Sequence, residues 1–505
     1  MNEFFLTLLL MGALSTGGPL PFWMTSNQFG LMPETSGALA LARMGTEYDP
    51  SKTVQWRWGA SLAANYGGSS ATPVIPVTPV ILSEAKDLAA QNLRPMVDEL
   101  YASLKWKVLS VDLGMRRFDL DYYGAGTQTL GSMSTTGGHI IWSGNARSLP
   151  GYSANLDPVS IPLTKGRVKF FGSFADYRTT DNRYMKGALL HRTKMGLDIQ
   201  ITERLDFHGV FDHFALWGGK NDALAMPVTL GNYFRVITAR KAGSDGTESD
   251  QLNVIGDQRG GETFRFNWRG NGWRLSLQHD IPYDDGSGMG FQNFPDGVNT
   301  IWFGFDDKDK WVTDVLYEYQ YTMFQSGTRH DRPTTEEEKQ HLDPSDQYHY
   351  NKHIIGGGDN YFNNSPYRSG WTYYGHTIGN PLFVPAGTYS GTWTGRKTVL
   401  GVENNRLKAH HFSIAGKLFR KAPYKLMLTY SHNYGTYSKP YKGESQWGKD
   451  WGTVKETPLN QLSGAFMGEI PGLLEHFTLT YGLFADRGQL FPDNFGATFG
   501  IRYSL

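Results

Sequence analysis

Tyrosine, tryptophan and amide side chains are concentrated between residues 348 and 451 of the chain. Sugar rings have apolar faces and hydroxyl edges, so an aromatic ring flanked by asparagine, aspartate or arginine has the chemistry that carbohydrate binding needs. An aromatic girdle at a membrane interface would have the same composition, and both interpretations stay open. The candidate polysaccharide-binding residues are Tyr361, Arg368, Trp371, Tyr373, Tyr374, Trp393, Trp447 and Trp451.

Residues that could catalyse a reaction are sparse. His208 and Asp212 would share the inward face of a strand, which is typical of an ordinary hydrogen-bonded pair. His410 and His411 are adjacent and lack the i, i+4 spacing of metal ligands on a helix. The chain has no cysteine, which excludes disulfides, thiolate metal sites and cysteine nucleophiles. We therefore expect a protein that is not an enzyme and that uses no cofactor and no metal.

The elements that would position the aromatic residues are β-strands. From Phe495 to Leu505 apolar residues alternate without a break with small, polar or charged ones, which is the period of a strand with one apolar and one polar face. A strand of about 9 to 11 residues crosses a bilayer at roughly 45° tilt. The pattern recurs at 55–66, 104–108, 168–174, 195–201, 205–211, 264–268, 273–277, 317–321, 412–418, 426–430 and 477–483. Helical periodicity is confined to 83–100.

Short and long connections alternate along the chain, as they do in outer-membrane barrels with short periplasmic turns and long extracellular loops. The long connections are 67–97, 119–136, 216–260, 325–352 and 436–457. The fold predicted is all-β, a transmembrane antiparallel β-barrel. Two strands from 353–407 would bring the total to about 18, an even number that puts both termini on one side. A soluble sandwich or propeller is the alternative, disfavoured by the irregular loops.

The first residues are apolar. Residues 4–14 have the length of a signal-peptide core and are followed by small residues 15–18. We predict a signal peptide over 1–18 and a single barrel domain over 19–505 in the cell outer membrane, in contact with its lipids. A strand or short helix at the N-terminus is the alternative. With 48 basic and 48 acidic residues, the chain has no net field to recruit nucleic acid, and none is expected as a partner.

Charged residues of both signs occupy the polar faces of the predicted strands. Their density would allow them to form salt bridges across the lumen, so a plugged lumen and an open pore are both consistent with the sequence. The basic residues are Arg57, Lys105, Lys107, Lys169, Lys194, Arg265, Arg269, Arg274, Lys417 and Lys425, and the acidic ones are Asp112, Asp198, Asp206, Asp212 and Glu318.

Several segments resemble the capsule assembly Wzi family of outer-membrane proteins. They are PFWMTSNQFG at 21–30, the run 137–150 with SGNARSLP, IPLTKG at 161–166, HFALWGG at 213–219, IGNPL at 378–382, NNRLKAHHF at 404–412 and DNFGATFGIRYSL at 493–505. The resemblance implies an 18-stranded, non-conducting barrel that acts like a lectin and retains capsular or other surface polysaccharide, with the capsule export machinery as a further candidate partner. Better-known members carry a periplasmic helical bundle, whereas only 83–100 has a helical pattern here.

Three functions follow as hypotheses. The first is a non-enzymatic surface protein that binds polysaccharide through its outer loops and has a blocked lumen. The second is a porin or transporter for sugars or small hydrophobic nutrients, which predicts ion conductance. The third is a barrel enzyme acting on lipid or glycan, which needs a catalytic serine and histidine or paired carboxylates that the sequence does not reveal.

Overall fold

Eighteen antiparallel strands form one sheet that closes on itself. The computed structural model describes residues 3–67, 93–117, 136, 139–244, 246–247, 250–251, 254–284, 291–327, 330–340, 342–345, 347–386, 401–443 and 456–505. The barrel strands are β1 Phe4–Ser15, β2 Gly37–Thr46, β3 Val54–Gly67, β4 Leu93–Trp106, β5 Leu109–Met115, β6 Pro150–Ser160, β7 Val168–Arg178, β8 Leu189–Gln200, β9 Leu205–Trp217, β10 Asp257–Arg269, β11 Trp273–Asp284, β12 Gly297–Phe305, β13 Asp314–Tyr321, β14 Arg406–Leu418, β15 Ala422–Gly435, β16 Leu459–Leu474, β17 Phe477–Gly488 and β18 Asn494–Ser504. The predicted barrel of about 18 strands is confirmed.

Short helices and hairpins lie in the connections. The helices are α1 Phe22–Thr25, α2 Leu230–Ile237, α3 Glu336–Lys339 and α4 Gln347–Asn351. Small antiparallel pairs join His330–Pro333 to Lys352–Gly356, Thr372–Tyr373 to His376–Thr377 and Val384–Pro385 to Val402–Asn404. Within the described part of the chain, no helix is both long and apolar enough to cross a bilayer.

The outward face of the barrel is apolar, as the alternation predicts. On β18 the side chains of Phe495, Phe499 and Ile501 are 49%, 61% and 45% exposed. Large exposed apolar residues such as Trp56 on β3 and Leu104 on β4 continue the belt on other strands. Side chains of this kind exposed around a closed sheet are what a barrel presents to lipid.

The lengths of the connections divide the barrel into a turn side and a loop side. Short turns follow the even-numbered strands, for example 107–108, 201–204 and 475–476, whereas long connections such as 116–149 and 322–405 follow odd-numbered strands. Both ends of the sheet, at Phe4 and Ser504, lie on the turn side. The predicted alternation of short and long connections is therefore confirmed.

The N-terminal segment corrects the sequence-based prediction. Phe4–Ser15, predicted as part of a signal peptide over 1–18, forms strand β1, which pairs with β2 and with β18 and places Leu10 opposite Ile501. Removing this strand would leave two strand edges unpaired in the barrel wall. The alternative interpretation of a strand at the N-terminus is the one that the structure has.

Two further predictions are corrected. The helical pattern at 83–100 does not form a helix over its described part, because Leu93–Trp106 pairs with β3 and β5 as strand β4. The segment 353–407 was predicted to supply two barrel strands, but its described residues between Lys352–Gly356 and β14 contain only the small hairpins named above. Strand β1, predicted above as part of a signal peptide, is instead one of the 18 strands of the barrel.

Three segments of the loop-side connections fold into the barrel, and we call them together the plug. The plug comprises residues 19–33, 139–149 and 359–386. Its apolar side chains, including Trp23, Ile140, Phe362, Trp371 and Phe383, form one buried cluster with inward residues of the wall. The interior on the loop side is therefore packed like a protein core.

Hydrogen bonds tie the plug to strands on different sides of the barrel. Asn65 on β3 donates to the Leu31 carbonyl at 2.9 Å. On three other strands, side chains of the wall accept hydrogen bonds from N–H groups of the plug. Asp280 on β11 accepts from the Ile140 N–H at 3.0 Å, Thr429 on β15 from the Trp23 indole at 3.1 Å and Asp486 on β17 from the Phe22 N–H at 2.7 Å. Because these strands lie on different sides of the barrel, the plug is anchored across the lumen.

Salt bridges line the lumen, as the mixed charges on the polar strand faces predicted. Arg192 on β8 pairs with Asp212 on β9 at 2.5 Å. Arg259 on β10 is fully buried between Asp257 and Asp284, at 2.6 and 2.7 Å. His208 bonds to Asp198 at 2.6 Å rather than to Asp212, which corrects the predicted His208–Asp212 pair. A buried charge needs an oppositely charged or hydrogen-bonding partner, and for these residues the partner belongs to the barrel wall itself.

A small cavity remains between the plug and the wall. Its volume is about 30 Å³, and its lining includes His139, Trp142, Arg192, Lys194, Asp212 and Asp280. A water molecule needs roughly 10–15 Å³ of such space, so the cavity has room for water but not for a sugar ring.

The closed barrel predicts a specific behaviour in gel electrophoresis. Unheated protein in SDS should migrate as a compact band that shifts on boiling, because a sheet with every strand paired resists detergent until it is thermally unfolded. The measurement is the mobility of boiled and unboiled samples on one gel. Equal mobility of the two samples, together with solubility in the absence of detergent, would contradict the membrane barrel.

Candidate functional site

A tight hairpin of the plug carries the residues that reach the loop-side surface. Thr372 pairs with Thr377 and Tyr373 pairs with His376, which leaves Tyr374 and Gly375 as a two-residue turn. Both turn residues have positive φ, 49° and 82°, as a type I′ turn requires. Tyr374 thus lies at the tip of the hairpin and is 42% exposed.

The connection between β7 and β8, residues 179–188, supports this hairpin from the side. The Thr180 hydroxyl lies 2.6 Å from the Tyr373 hydroxyl, and Asp181 accepts from the Tyr374 N–H at 3.2 Å. Further along, Ser369 Oγ accepts from the Tyr184 N–H at 2.8 Å. These bonds join the wall loop and the plug into one surface.

Two tyrosine rings on this surface each have an arginine against one face. The Arg368 guanidinium lies 4.9 Å from the ring centroid of Tyr184, and the Arg147 guanidinium lies 4.4 Å from that of Tyr374. Such cation–π contacts are worth about 0.5–1 kcal/mol at exposed sites and hold the rings in place. Tyr184, Arg368, Tyr374 and Arg147 are called the tyrosine–arginine surface below.

The support beneath the surface is buried and hydrogen-bonded. Burial raises the pKa of Asp181, an effect that Arg183 at 3.8 Å opposes. Arg183 is itself buried and donates to the Gly370 carbonyl at 3.0 Å. Burial also raises the pKa of Tyr373 to about 12, so its hydroxyl stays protonated at neutral pH. The tyrosine–arginine surface is therefore supported by buried groups whose positions are fixed by their contacts.

The hairpin also carries a neutral histidine. Burial lowers the pKa of His376 to about 4, and the nearby Arg147 guanidinium lowers it further. At neutral pH the imidazole is therefore uncharged, and the positive charge of the surface comes from its arginines. A partly exposed ring with a guanidinium group beside it suits the apolar face of a sugar together with a carboxylate or hydroxyl substituent.

The structure separates the residues that the sequence had grouped as candidates. Arg368 and Tyr374 are exposed on the loop side. Trp371, Tyr373 and Tyr361 are buried, with exposures of 0%, 0% and 1%. Trp393, Trp447 and Trp451 lie outside the described residues.

The buried rings have structural partners in the plug and in the connection between β11 and β12. The Trp371 indole donates to the Ile141 carbonyl at 2.7 Å, which joins two of the plug segments. The Tyr361 hydroxyl donates to Asp296 at 2.9 Å, and burial raises the pKa of that carboxyl to about 7. The predicted polysaccharide contacts of these rings would therefore require the plug to open, because none of them has a face directed to solvent.

Sequence reasoning missed Tyr184 and Arg147. Tyr184 lies in a ten-residue connection, 179–188, that carries no run of aromatic residues. Arg147 lies within the segment SGNARSLP that carries the family resemblance, which is the one signal that could have indicated it. The contacts that bring both to the hairpin join residues far apart in the chain.

A closed 18-stranded antiparallel barrel with an apolar outward belt and an anchored plug defines the class of outer-membrane β-barrels. A solved structure that this chain resembles in fold is Wzi of Escherichia coli, an outer-membrane protein involved in group 1 capsule assembly that is described as a carbohydrate-binding β-barrel. The TM-score is 0.54 at 12% sequence identity, over 98% of this chain and 83% of Wzi. The predicted resemblance is thus confirmed as a likeness of fold.

Other solved structures match with lower scores. OccAB2 of Acinetobacter baumannii has a TM-score of 0.45 at 9% identity, and OpdK of Pseudomonas aeruginosa, solved with vanillate, has 0.44 at 10% identity. Each match covers 100% of this chain and 98% of the other. No family model matches the chain, and no curated protein matches it.

Proposed function

We propose that this protein is an outer-membrane barrel that binds surface polysaccharide without catalysing a reaction. The observation that carries the proposal is the tyrosine–arginine surface, in which the ring of Tyr374 on the anchored plug and the ring of Tyr184 on the adjoining wall connection are both partly exposed. The loop side of such a barrel faces the cell exterior, where polysaccharide is found. The fold likeness to a carbohydrate-binding β-barrel agrees with this function.

Capsular polysaccharide is the class of ligand that we favour. Exposed arginine pairs with carboxylates through two parallel hydrogen bonds, which suits a capsular chain that carries acidic sugars. Arg368 is exposed and lies beside the ring of Tyr184, so one sugar unit could meet both groups. An interaction with the capsule export machinery remains a prediction from the sequence resemblance.

The decisive experiment compares binding and conductance of the same purified protein. We expect the detergent-solubilised protein to retain polysaccharide isolated from the surface of the source cells, and to bind the neutral polymer dextran more weakly. In planar bilayers we expect no steady ion conductance, because the plug is bonded to strands on several sides. Steady conductance without polysaccharide binding would favour the porin hypothesis and contradict the proposal.

A further inference from the structure

The connection between β9 and β10 does not enter the barrel but folds outward over its wall. Helix α2 begins after Thr229, whose hydroxyl accepts from the Asn232 N–H at 3.2 Å as an N-terminal cap. Val236 of the helix packs with Ala215 and Trp217 of β9, and the ring of Tyr233 stacks on Trp217 at 5.7 Å. Side chains alternate along β9, so Ala215 and Trp217 share a face with the lipid-side residues Phe207 and Phe211.

The helix covers a polar cluster on this outer face. Asp176 on β7 lies 2.9 Å from Nδ1 of His191 on β8 and accepts from the Tyr233 hydroxyl at 2.5 Å. The Tyr152 hydroxyl of β6 donates to the same carboxylate at 2.6 Å. Ionisable groups facing hydrocarbon are strongly unfavourable, so a barrel that has them on its outward face needs a cover. Helix α2 provides that cover through Tyr233.

The opposite face of the helix is apolar and exposed. Leu230 is 77% exposed and Phe234, one turn later, is 64% exposed, while Val228 just before the helix is 57% exposed. At the other end of the helix, Arg235 is partly exposed and Arg240 and Lys241 are exposed. An amphipathic helix with bulky apolar residues on one face and cations beside it is typical of a segment lying in a membrane interface.

The apolar helix face is continuous with the lipid-facing belt of the wall. Met195 and Leu197 of β8, on the same face of the strand as His191, are 45% and 37% exposed further toward the turn side. The connection between β11 and β12 also places an apolar side chain beside the belt. The ring centroid of exposed Phe291 lies 6.0 Å from that of Phe264, which points outward from β10. The loop-side rim therefore carries exposed apolar side chains next to the lipid-facing belt.

We propose that helix α2 is a lipid-binding element that lies in the boundary between headgroups and acyl chains of the outer leaflet. Val228, Leu230 and Phe234 contact acyl chains, and Arg235, Arg240 and Lys241 contact the anionic groups of the lipid headgroups. The barrel is thereby held at a defined height in the membrane, and the Asp176–His191 pair is kept away from hydrocarbon. This inference is independent of polysaccharide binding.

The absence of cysteine from the sequence makes a site-specific test straightforward. Phe234→Cys, carrying an environment-sensitive fluorophore, is reconstituted into phosphatidylcholine vesicles whose acyl chains bear a brominated quencher. Leu197→Cys on the wall is the lipid-facing control, and Ser365→Cys on the exposed surface of the plug is the water-facing control. Each labelled variant is first checked for heat-shifted gel mobility, which shows that it has folded.

We expect quenching by the brominated lipid at position 234 to match that at position 197 and to exceed that at position 365 by at least about twofold. Adding anionic phosphatidylglycerol should increase the quenching at 234, and Arg240→Gln with Lys241→Gln should remove that increase. Quenching by aqueous iodide instead of by lipid would overturn the proposal. Protection from both quenchers would also overturn it, since protein, such as a second copy of the chain, would then cover the helix.

Discussion

Replacing Trp371 by alanine should produce ion conductance in a barrel that we expect to be closed to ions when the plug is intact. The Trp371 side chain is fully buried, its ring packs against Phe214 of the wall at 5.7 Å, and its indole bonds to the Ile141 carbonyl. Truncating a buried tryptophan to alanine removes about 3–5 kcal/mol of packing. Since each 1.4 kcal/mol is a factor of ten, the population with an open plug should rise by roughly two to three and a half orders of magnitude.

The measurement is single-channel recording in planar bilayers, where we expect bursts of conductance from Trp371→Ala that are rare in the unmodified protein. Tyr374→Ala is the matched control, because this ring lies three residues away, on the hairpin that follows Trp371, but is partly exposed rather than packed in the plug. Trp371→Ala must first show the heat-shifted band, which indicates that it has folded. If its conductance then equals that of the unmodified protein, the plug does not depend on this contact.

Replacing Tyr184 and Tyr374 together by alanine should have the opposite effect from Trp371→Ala. Polysaccharide binding should be lost, and conductance should not increase. Each aromatic contact is worth about 0.5–1.5 kcal/mol, so the loss of two rings should weaken binding roughly fivefold to a hundredfold. A polymer that engages several barrels at once would amplify the effect at the cell surface. The readouts are the dissociation constant for isolated polysaccharide and the amount of polysaccharide that whole cells retain.

The control for this pair is Tyr184→Phe with Tyr374→Phe. Phenylalanine keeps the ring face and the arginine contact but removes the hydroxyl, so binding should be nearly unchanged if the rings act as platforms. Arg368→Ala should weaken binding of an acidic polysaccharide more than that of a neutral one. Undiminished binding in the double alanine variant would exclude the tyrosine–arginine surface as the site.

Much of the fold could be predicted because strand alternation is a local property. The pattern at 495–505 identifies β18 without knowledge of its partners, and the same holds for β3 and β9. Phe4–Ser15 could not be assigned in this way, because an apolar run of that length suits both a signal-peptide core and a lipid-facing strand. In the structure this segment pairs with β2, where Leu41 lies, and with β18, where Ile501 lies. The local sequence of the segment does not indicate either partner.

The candidate site shows the same limit. Trp371 and Tyr374 have similar chemistry and are three residues apart, yet one is fully buried and the other is 42% exposed. Nothing in their local sequence distinguishes them, because the turn at Tyr374 and Gly375 and the packing of Trp371 both depend on the plug entering the barrel. Tyr184 and Arg147 reach the surface through contacts with Arg368 and Tyr374 from other connections.

Local alternation in the sequence was enough to predict a barrel of about 18 strands with an apolar outer face and alternating short and long connections. Three features appear only in the folded chain: Phe4–Ser15 closes the wall, three connections plug the lumen and helix α2 lies outside it. They could not be predicted because the two-residue period belongs to each strand separately, whereas burial of a ring depends on side chains brought together from distant parts of the chain.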